Sequence, residues 1–587
     1  MIARQSPDFS EVKDDGAAVM LVLRLGLRSA TQERFAFGGR KRRLSGKREA
    51  SMRSPLHRDP VGRGPGLEAG AGPPLLGDPL LYAVALIASA VCAPVFRYVV
   101  WLGDEGVLLH GAARILGGEV LYRDFFEVLP PGSFLIIAAW MKLFGAGFAS
   151  VRVLAVVVIG VIAALLYAAA RLSSDNRPLA ALLSIAWAVR VPWENSHHWF
   201  TTAASMAAAV GLLLALDGAP RRGAAFFAGL FAGAAAIVTP MRGALLCLAV
   251  VALLFTLPGA RSRLLSAIVG IGLVPATMIL YLTAIGALGA AVDDVLRFPA
   301  RRYVRIQAVP FGSFATLADT ASVALFPITL VLAGTAFALR RAAIWRELRF
   351  RASLALAGVG LVGAYPRPDI AHLNFTAPLA CPLFALVATD LLGRLGRRAR
   401  IAAGTLLIGL CLAHVGYALT LRMAVATAPL HEVPTARGLT VRLPSLWTDD
   451  FAALVVQIDR IPRDDAFFFY PYVPMLPYLT ARRHVAALDV MTPGYTTTEQ
   501  FRETCVRVLS EARWVVIERS WTDPAKLRSV FPAMRDPDPP EQRGFQAALR
   551  LAFDRVVHTS TFFELRQRDE GASVALCDRI GASPDAR

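Results

Sequence analysis

The sequence predicts an α-helical polytopic membrane protein: about eleven transmembrane helices plus interfacial helices, followed by a small C-terminal α/β domain. Three observations carry this. Of 587 residues, 55% are hydrophobic and only 18% charged, and the mean hydropathy is +0.50. A soluble chain of this length lacks the interior volume to hide so much apolar side chain. Apolar windows of about 16–24 residues recur, and about 20 helical residues cross about 30 Å of hydrocarbon. Beyond Leu421 the pattern changes to short β-like runs alternating with helical ones.

Taken in order, residues 1–78 are rich in Gly, Pro, Arg and Lys, include "GRKRRLSGKR" and lack sustained periodicity. They read as a disordered, basic, cytoplasmic tail. Met52 is a second possible start, which leaves open whether residues 1–51 belong to the native protein. The first long apolar run begins near Leu80, too late for a cleavable signal. Spans are expected near 79–101, 150–172, 178–193, 199–217, 223–239, 243–258, 264–287, 314–340, 352–366, 374–393 and 401–421.

The segment 131–145, "PGSFLIIAAWMKLFG", is excluded from that set. As a helix it would extend only about 22 Å, and Trp140 and Lys142 favour the membrane surface. Charge parity checks this choice. With a cytoplasmic N-terminus, the basic clusters Arg171/Arg177, Arg221/Arg222, Arg261/Arg263, Arg340 to Arg351 and Arg394 to Arg400 all fall inside. Making 131–145 a span would put every one of them outside, against the positive-inside rule. The loop 102–149 and the C-terminal domain over 422–587 are therefore expected on the extracytoplasmic side of the cell's inner (plasma) membrane.

Within that domain, "AFFFYPY", "HVAALDV", "RWVVIER" and "VVHTSTFFEL" read as strands, with helices expected at 496–512 and 540–554. No internal repeat is found. The net charge of +18 sits largely in the tail and in short loops, as a bilayer demands, so nucleic acid is not the expected partner. Four of the six cysteines, Cys92, Cys247, Cys381 and Cys411, lie in apolar runs and read as small buried hydrophobes. Cys505 and Cys577 could pair if their domain is exported, and the sequence leaves that open.

The stretch with most chemistry is "WLGDEGVLLHGAARILGGEVLYRDFFEVLPPGSF", from Trp101 to Phe134. Asp104 and Glu105 sit where an apolar run ends, and acids at the mouth of a bundle are costly unless solvated or paired. Capping is one reading, because Asp suits an N-cap and Glu a first turn. The ordered set points further: Asp104-Glu105, Tyr122-Arg123-Asp124, Pro130-Pro131-Gly132, Leu143-Phe144-Gly145 and Val151-Arg152-Val153-Leu154. It resembles the GT-C membrane glycosyltransferases, above all the protein O-mannosyltransferases and the lipid A aminoarabinose transferases. Gly132 stands where that family usually has Leu.

The resemblance implies transfer of a sugar from a polyprenyl-phosphate donor to an acceptor outside the cytoplasm, which could be lipid, glycan or protein. It implies Asp104 as the general base and Glu105 as the residue holding acceptor or carboxylate geometry. Asp124 and Glu127 fall among the expected substrate-binding residues, and Arg152 matches the family's arginine. A lipid-phosphate leaving group calls for cations. Arg242 in "TPMRG", Arg301 and Arg302 in "RFPARRYVR" (with Arg297 and Arg305), and Arg367, Asp369 and His372 in "YPRPDIAHLNF" are the candidates. Anchoring to anionic headgroups competes for the 297–305 arginines, and an internally satisfied ionic turn competes for 367–372.

Glu194, His197 and His198 in "PWENSHHWF" read first as interfacial residues, and their spacing fits no standard metal site. No cofactor is implied, and divalent-metal dependence stays open. A transporter or lipid flippase is the alternative function, but ionisable residues gather at the span ends rather than at mid-bilayer. A non-catalytic assembly protein and a polymerase or ligase of lipid-linked glycans are weaker alternatives.

Overall fold

A computed structural model describes residues 74–99, 102–191, 193–216, 221–257, 259–316, 319–429, 431–438, 440–441 and 445–581. The expected tail, with the second start at Met52, lies outside the described residues except for its last few positions.

Asp78 opens the first helix, α1 (Pro79–Cys92). Its carboxylate accepts from the Leu80 N–H at 3.2 Å, and Pro79 supplies a preset backbone angle at the first position. The same carboxylate meets Arg171 at 2.7 Å and Arg177 at 2.5 Å, which ties the start of α1 to the far end of α4. Then come α2 (Asp104–Leu116), α3 (Gly132–Phe144), α4 (Phe148–Ser174), α5 (Arg177–Ala188), α6 (His197–Leu216), α7 (Arg222–Ala236), α8 (Pro240–Phe255) and α9 (Arg261–Ala284). The bundle is completed by α10 (Thr320–Arg340), α11 (Leu348–Val362), α12 (Ile370–Thr376), α13 (Cys381–Arg394) and α14 (Arg397–Thr427).

Each of the eleven expected windows holds helix. Among the described residues, however, only α4, α6, α9, α10 and α14 are individually long and apolar enough to cross a membrane. A sixth span arises if α12 and α13, bent by 62° at their break, count as one. Pro79, Pro178 and Pro240 stand in the first two positions of α1, α5 and α8, but α1 and α5 end early, at Cys92 and Ala188, and at 1.5 Å per residue the 12 residues of α5 reach only about 18 Å. The segment expected at the membrane surface is the 13-residue helix α3, packed against α2.

Close helix contact follows from small residues. A Cβ on Gly229 of α7 would lie 2.0 Å from the Ala267 carbonyl oxygen of α9, so these two helices meet backbone to backbone. In contrast, α9, α10 and α14 leave most of their apolar length uncovered, the surface a bilayer would cover.

The C-terminal domain contains α15 (Ser445–Asp459), β1 (Phe467–Tyr470), α16 (Met475–Thr480), α17 (Thr498–Glu511), β2 (Trp514–Glu518), α18 (Pro524–Val530), α19 (Pro540–Ala552), β3 (Arg555–Thr559) and β4 (Phe563–Gln567). The four strands form one sheet in the order β1-β2-β4-β3. β1 and β2 run parallel, with Phe467 opposite Trp514, and the remaining pairs are antiparallel. Alternation along β1 sends side chains to two cores. Phe468 and Tyr470 join Phe501 and Phe545 under α17 and α19, whereas Phe467 and Phe469 join the core shared with α2 and α3.

Two strand expectations change. "HVAALDV" is irregular, with a single bridge from His484 to Phe467, and "VVHTSTFFEL" is a hairpin rather than one strand. The turn at Ser560 reverses the chain, its N–H donating to the Phe563 carbonyl at 2.8 Å. Cys505 and Cys577 form a disulfide that joins α17 to the helical turn Val574–Arg579, settling the pairing that the sequence left open.

A candidate active site around Asp104

The helix α2 starts at Asp104 because Gly103, with φ −92° and ψ −99°, takes the non-helical cap position. No side chain caps this helix. Asp104 is thus the first helical residue rather than the cap, and its carboxylate is available for other work.

That carboxylate opens on a cavity of about 330 Å³ between the helical bundle and the C-terminal domain. Five short segments build the wall. α2 contributes Asp104, Val107 and Leu108, and the loop after it Glu127 to Leu129. The approach to α6 contributes Glu194 to His198, and the helical segment before α10 contributes Tyr303 and Gln307. Arg367, Asp369, His372 and Phe375 come from the start of α12. The C-terminal domain adds Tyr472, Tyr495, Trp521 and Phe531.

Asp104 can be reached from the cavity yet lies deep within the molecule. Burial raises its carboxyl above the usual range, against the pull of a Tyr472 hydrogen bond and of the His372 and Arg367 charges. The Tyr472 hydroxyl donates to Oδ1 of Asp104.

Glu105 lies outside the wall. Consecutive helical residues point about 100° apart, so neighbouring acids on one helix serve different neighbours. Glu105 is buried in an ion pair with Arg152, Nη2 to Oε2 at 2.5 Å, and accepts from the Asn195 N–H at 2.9 Å and side-chain amide at 3.1 Å. Arg152 also donates to the carbonyls of Phe96 and Tyr98, at 3.3 and 3.2 Å. This pair locks α2, α4 and the approach to α6 together, and Asn195 is part of the cavity wall.

Asp124 is likewise off the wall. It pairs with exposed Arg123 at 2.9 Å and accepts from the Val120 N–H at 2.7 Å, which organises the turn after α2. Glu127 is buried on the wall. Burial lifts its carboxyl well above the usual range, with Asp489 and Asp294 adding to the effect and the Leu129 N–H and Arg114 opposing it. Glu194, a weak sequence candidate, sits beside Asp104 on the cavity. Burial and then the Glu105 charge push it up to about 8, against the pull of Arg152.

The "YPRPDIAHLNF" step forms one tight cluster. Asp369 caps α12 by accepting from the His372 N–H at 3.0 Å, and the same oxygen lies 2.7 Å from His372 Nδ1. Arg367 donates Nε to Asp369 at 2.8 Å, Nη1 to Gln307 at 3.0 Å and Nη2 to the Val530 carbonyl at 3.0 Å. Burial works to raise the Asp369 carboxyl, but the His372 hydrogen bonds and the Arg367 charge outweigh it and hold it below the usual range. With Nδ1 directed at Asp369, His372 turns its other nitrogen to the surroundings.

Arg242 is fully buried behind this wall, its guanidinium 3.5 Å from His198 Nδ1 and from Thr202 Oγ1. The His198 ring in turn lies 4.8 Å from that of His372 and stacks on Phe375 at 4.5 Å. Arg301 and Arg302 are exposed and off the cavity wall, with Arg297 and Arg305 exposed beside them. Their neighbours Tyr303 and Gln307 take the wall positions instead. Among the described residues, no three His, Cys, Asp or Glu side chains converge as ligands for a metal ion.

Sequence reasoning missed Tyr472, Tyr495, Tyr303 and Gln307. Gln307 and Tyr495 are hydrogen-bonded to each other across 188 positions of chain. Tyr472 lies in "AFFFYPY", which reads as a strand, and Tyr303 lies in "RFPARRYVR", where the arginines draw the attention.

Comparison with known proteins agrees with this architecture. No family model matches the sequence, and no curated protein resembles it at a significant level. Among solved structures, ArnT from Cupriavidus metallidurans bound to undecaprenyl phosphate is 14% identical, with a TM-score of 0.52, over 84% of this chain and 98% of that one. The apo state of the same protein gives 13% identity and a TM-score of 0.51 over 85% and 98%. The Archaeoglobus fulgidus oligosaccharyltransferase tethered to an acceptor peptide follows at 13% identity, with a TM-score of 0.46, over 78% and 71%. The ArnT likeness establishes a shared fold, and with its long apolar helices the chain is a multi-pass membrane protein of that architecture.

Proposed function

We propose that the chain is a membrane glycosyltransferase. It would move a sugar from a polyprenyl phosphate to a hydroxyl-bearing acceptor on the extracytoplasmic face. One observation carries the reading: a carboxylate at the start of α2 and the Arg367–Asp369–His372 cluster line one cavity within a GT-C fold.

In this reading Asp104 takes the proton of the acceptor hydroxyl as its oxygen bonds to the anomeric carbon. The bond from that carbon to the phosphate oxygen breaks, and its electron pair leaves with the polyprenyl phosphate. The leaving phosphate gains negative charge as the bond stretches, so a cation fixed in place lowers the barrier. Arg367 and His372 serve that end, held by Asp369 and Gln307. Arg242, behind His198, adds positive potential to the same wall. A raised carboxyl makes Asp104 a stronger base than a solvated aspartate, provided it is ionised at the working pH. Glu127 and Glu194 face the substrates as further polar contacts. Glu105 and Arg152 act through the framework, and Arg301 and Arg302 are assigned to anionic lipid headgroups.

Two features support the extracytoplasmic side. The domain that supplies Tyr472 to Asp104 carries the Cys505–Cys577 disulfide, a bond that persists in oxidising compartments and is rare in the cytosol. The basic loops also favour the same topology.

The test is Asp104→Asn. A deletion strain should lose one sugar from one class of envelope molecule by mass spectrometry, and the wild-type gene should restore it. Asp104→Asn should insert and fold yet restore less than about one hundredth of it. Full restoration by Asp104→Asn sinks the base assignment, and an unchanged envelope in the deletion strain sinks the transferase.

A further inference from the structure

We infer that the C-terminal domain completes the active site, with Tyr472 as the positioning residue that fixes the reacting carboxylate of Asp104. The inference rests on the reading of Asp104 as the base, and adds a role for a part of the chain that carries none of the motif residues.

The geometry comes from the whole length of α2, which the domain clamps turn by turn. At the first turn, the Tyr472 hydroxyl donates to Asp104 Oδ1. Two residues on, Gly106 lies against the backbone of α16: an added Cβ would stand 2.2 Å from the Met475 nitrogen, and the Met475 N–H donates to the Leu102 carbonyl at 3.1 Å. One turn further, His110 Nδ1 lies 2.9 Å from Asp489, and Arg114 donates Nη1 to the Ala486 carbonyl at 3.2 Å. Arg114 Nη1 is also 3.8 Å from Asp489. These contacts are buried, so the domain cannot rock on α2 without breaking several at once.

Tyr472 is itself held. Its ring is buried, and the Trp521 ring meets it edge-on at 5.2 Å. Trp521 is held in turn by its backbone N–H, which donates to the Glu518 carboxylate at 2.8 Å, and by Lys526, 4.7 Å above its ring face. The phenol therefore arrives at Asp104 from a rigid mount.

The chemical consequence is orientation. A base must come within hydrogen-bond reach of the proton it takes. An aspartate at the first position of a helix is otherwise free to turn. With Oδ1 occupied by Tyr472, Oδ2 is the oxygen left for the acceptor. The hydrogen bond also stabilises the ionised form, so it keeps part of the Asp104 population charged against the burial that opposes it. The other charged or titratable groups around Asp104 are Arg367, Asp369, His372, Glu194, Tyr303 and Tyr495.

The test needs no substrate. A hydrophobic carbodiimide labels protonated carboxyls, so the pH midpoint of Asp104 labelling reports its protonation. The full chain in lipid nanodiscs is labelled over a pH series with dicyclohexylcarbodiimide and read by peptide mass spectrometry. Tyr472→Phe keeps the ring and removes the hydroxyl, and should move the Asp104 midpoint up by about one pH unit. An unchanged or lowered midpoint in a variant with a wild-type unfolding transition overturns the inference. Should Tyr472→Phe unfold, a second arm decides. The pair Asp104→Cys with Tyr472→Cys should be bridged by a bifunctional thiol reagent about as long as a tyrosine side chain, because a Tyr–Asp hydrogen bond holds the two backbones too far apart for a direct disulfide, and failure of that reagent to bridge them overturns the placement. Because neither arm measures transfer, loss of this inference leaves the Asp104→Asn result standing, and the reverse.

Discussion

Glu194 shows what a single buried acid costs. Its carboxyl sits beside Asp104 and Glu105 and is pushed up to about 8 from an ordinary 4.5. The folded protein therefore holds that proton more tightly than the unfolded chain does. The resulting stability is fully present below pH 4.5 and is lost as pH rises through about 8. The thermal midpoint of the detergent-solubilised protein should fall between pH 5 and pH 9, and Glu194→Gln should flatten part of that fall. An identical pH slope in Glu194→Gln would remove Glu194 as the cause. At this scale the sequence was informative about which residues carry charge and poor on where each one points. Asp104 stood out because an ordered motif surrounds it. The separation of Asp104 from Glu105 was hidden, since it depends on which neighbour fills each side of α2. The arginines at 301 and 302 made the same point, because a dense basic run fits a surface as well as a site.

At the scale of elements, each of the eleven apolar windows holds helix, because bilayer length and side-chain hydropathy are local properties. Helix ends were less legible. Prolines at 79, 178 and 240 set the starts of α1, α5 and α8, and the 62° break between α12 and α13 brings Asp369 and His372 to the cavity. The sheet was read in part. β1, β2 and the flanking helices α17 and α19 follow their patterns, but the 556–565 run folds back on itself, as its Ser-Thr-rich middle permits. The contact between α2 and α16 has a clear test. Gly106→Ala places a methyl 2.2 Å from the Met475 nitrogen, so α16 must move away. Such overpacking costs about 1–3 kcal/mol. It should lower the unfolding midpoint and expose the 422–445 connection to protease. Wild-type resistance in Gly106→Ala would mean the two elements are not in close contact.

At the scale of the molecule, the described residues form one compact unit, so bundle and C-terminal domain share a core rather than being tethered. The Cys505–Cys577 bond closes a loop 72 residues apart within that unit. Replacing both cysteines by serine should cost roughly 2–5 kcal/mol of domain stability. Wild-type protein should show a mass consistent with the oxidised pair when purified from the envelope. Free thiols at both positions in that preparation would argue against an oxidising location. Composition and the recurring apolar windows together pointed to a helical membrane protein, because so much apolar side chain in runs of that length suits a bilayer better than a soluble interior. The order of acids, prolines and arginines around Asp104 indicated the kind of chemistry. Only the tertiary structure chose the carboxylate that faces the cavity and brought Tyr472 to it. That contact joins residues 368 positions apart, and a pairing of that kind is set by how two packed surfaces meet, which no local pattern encodes.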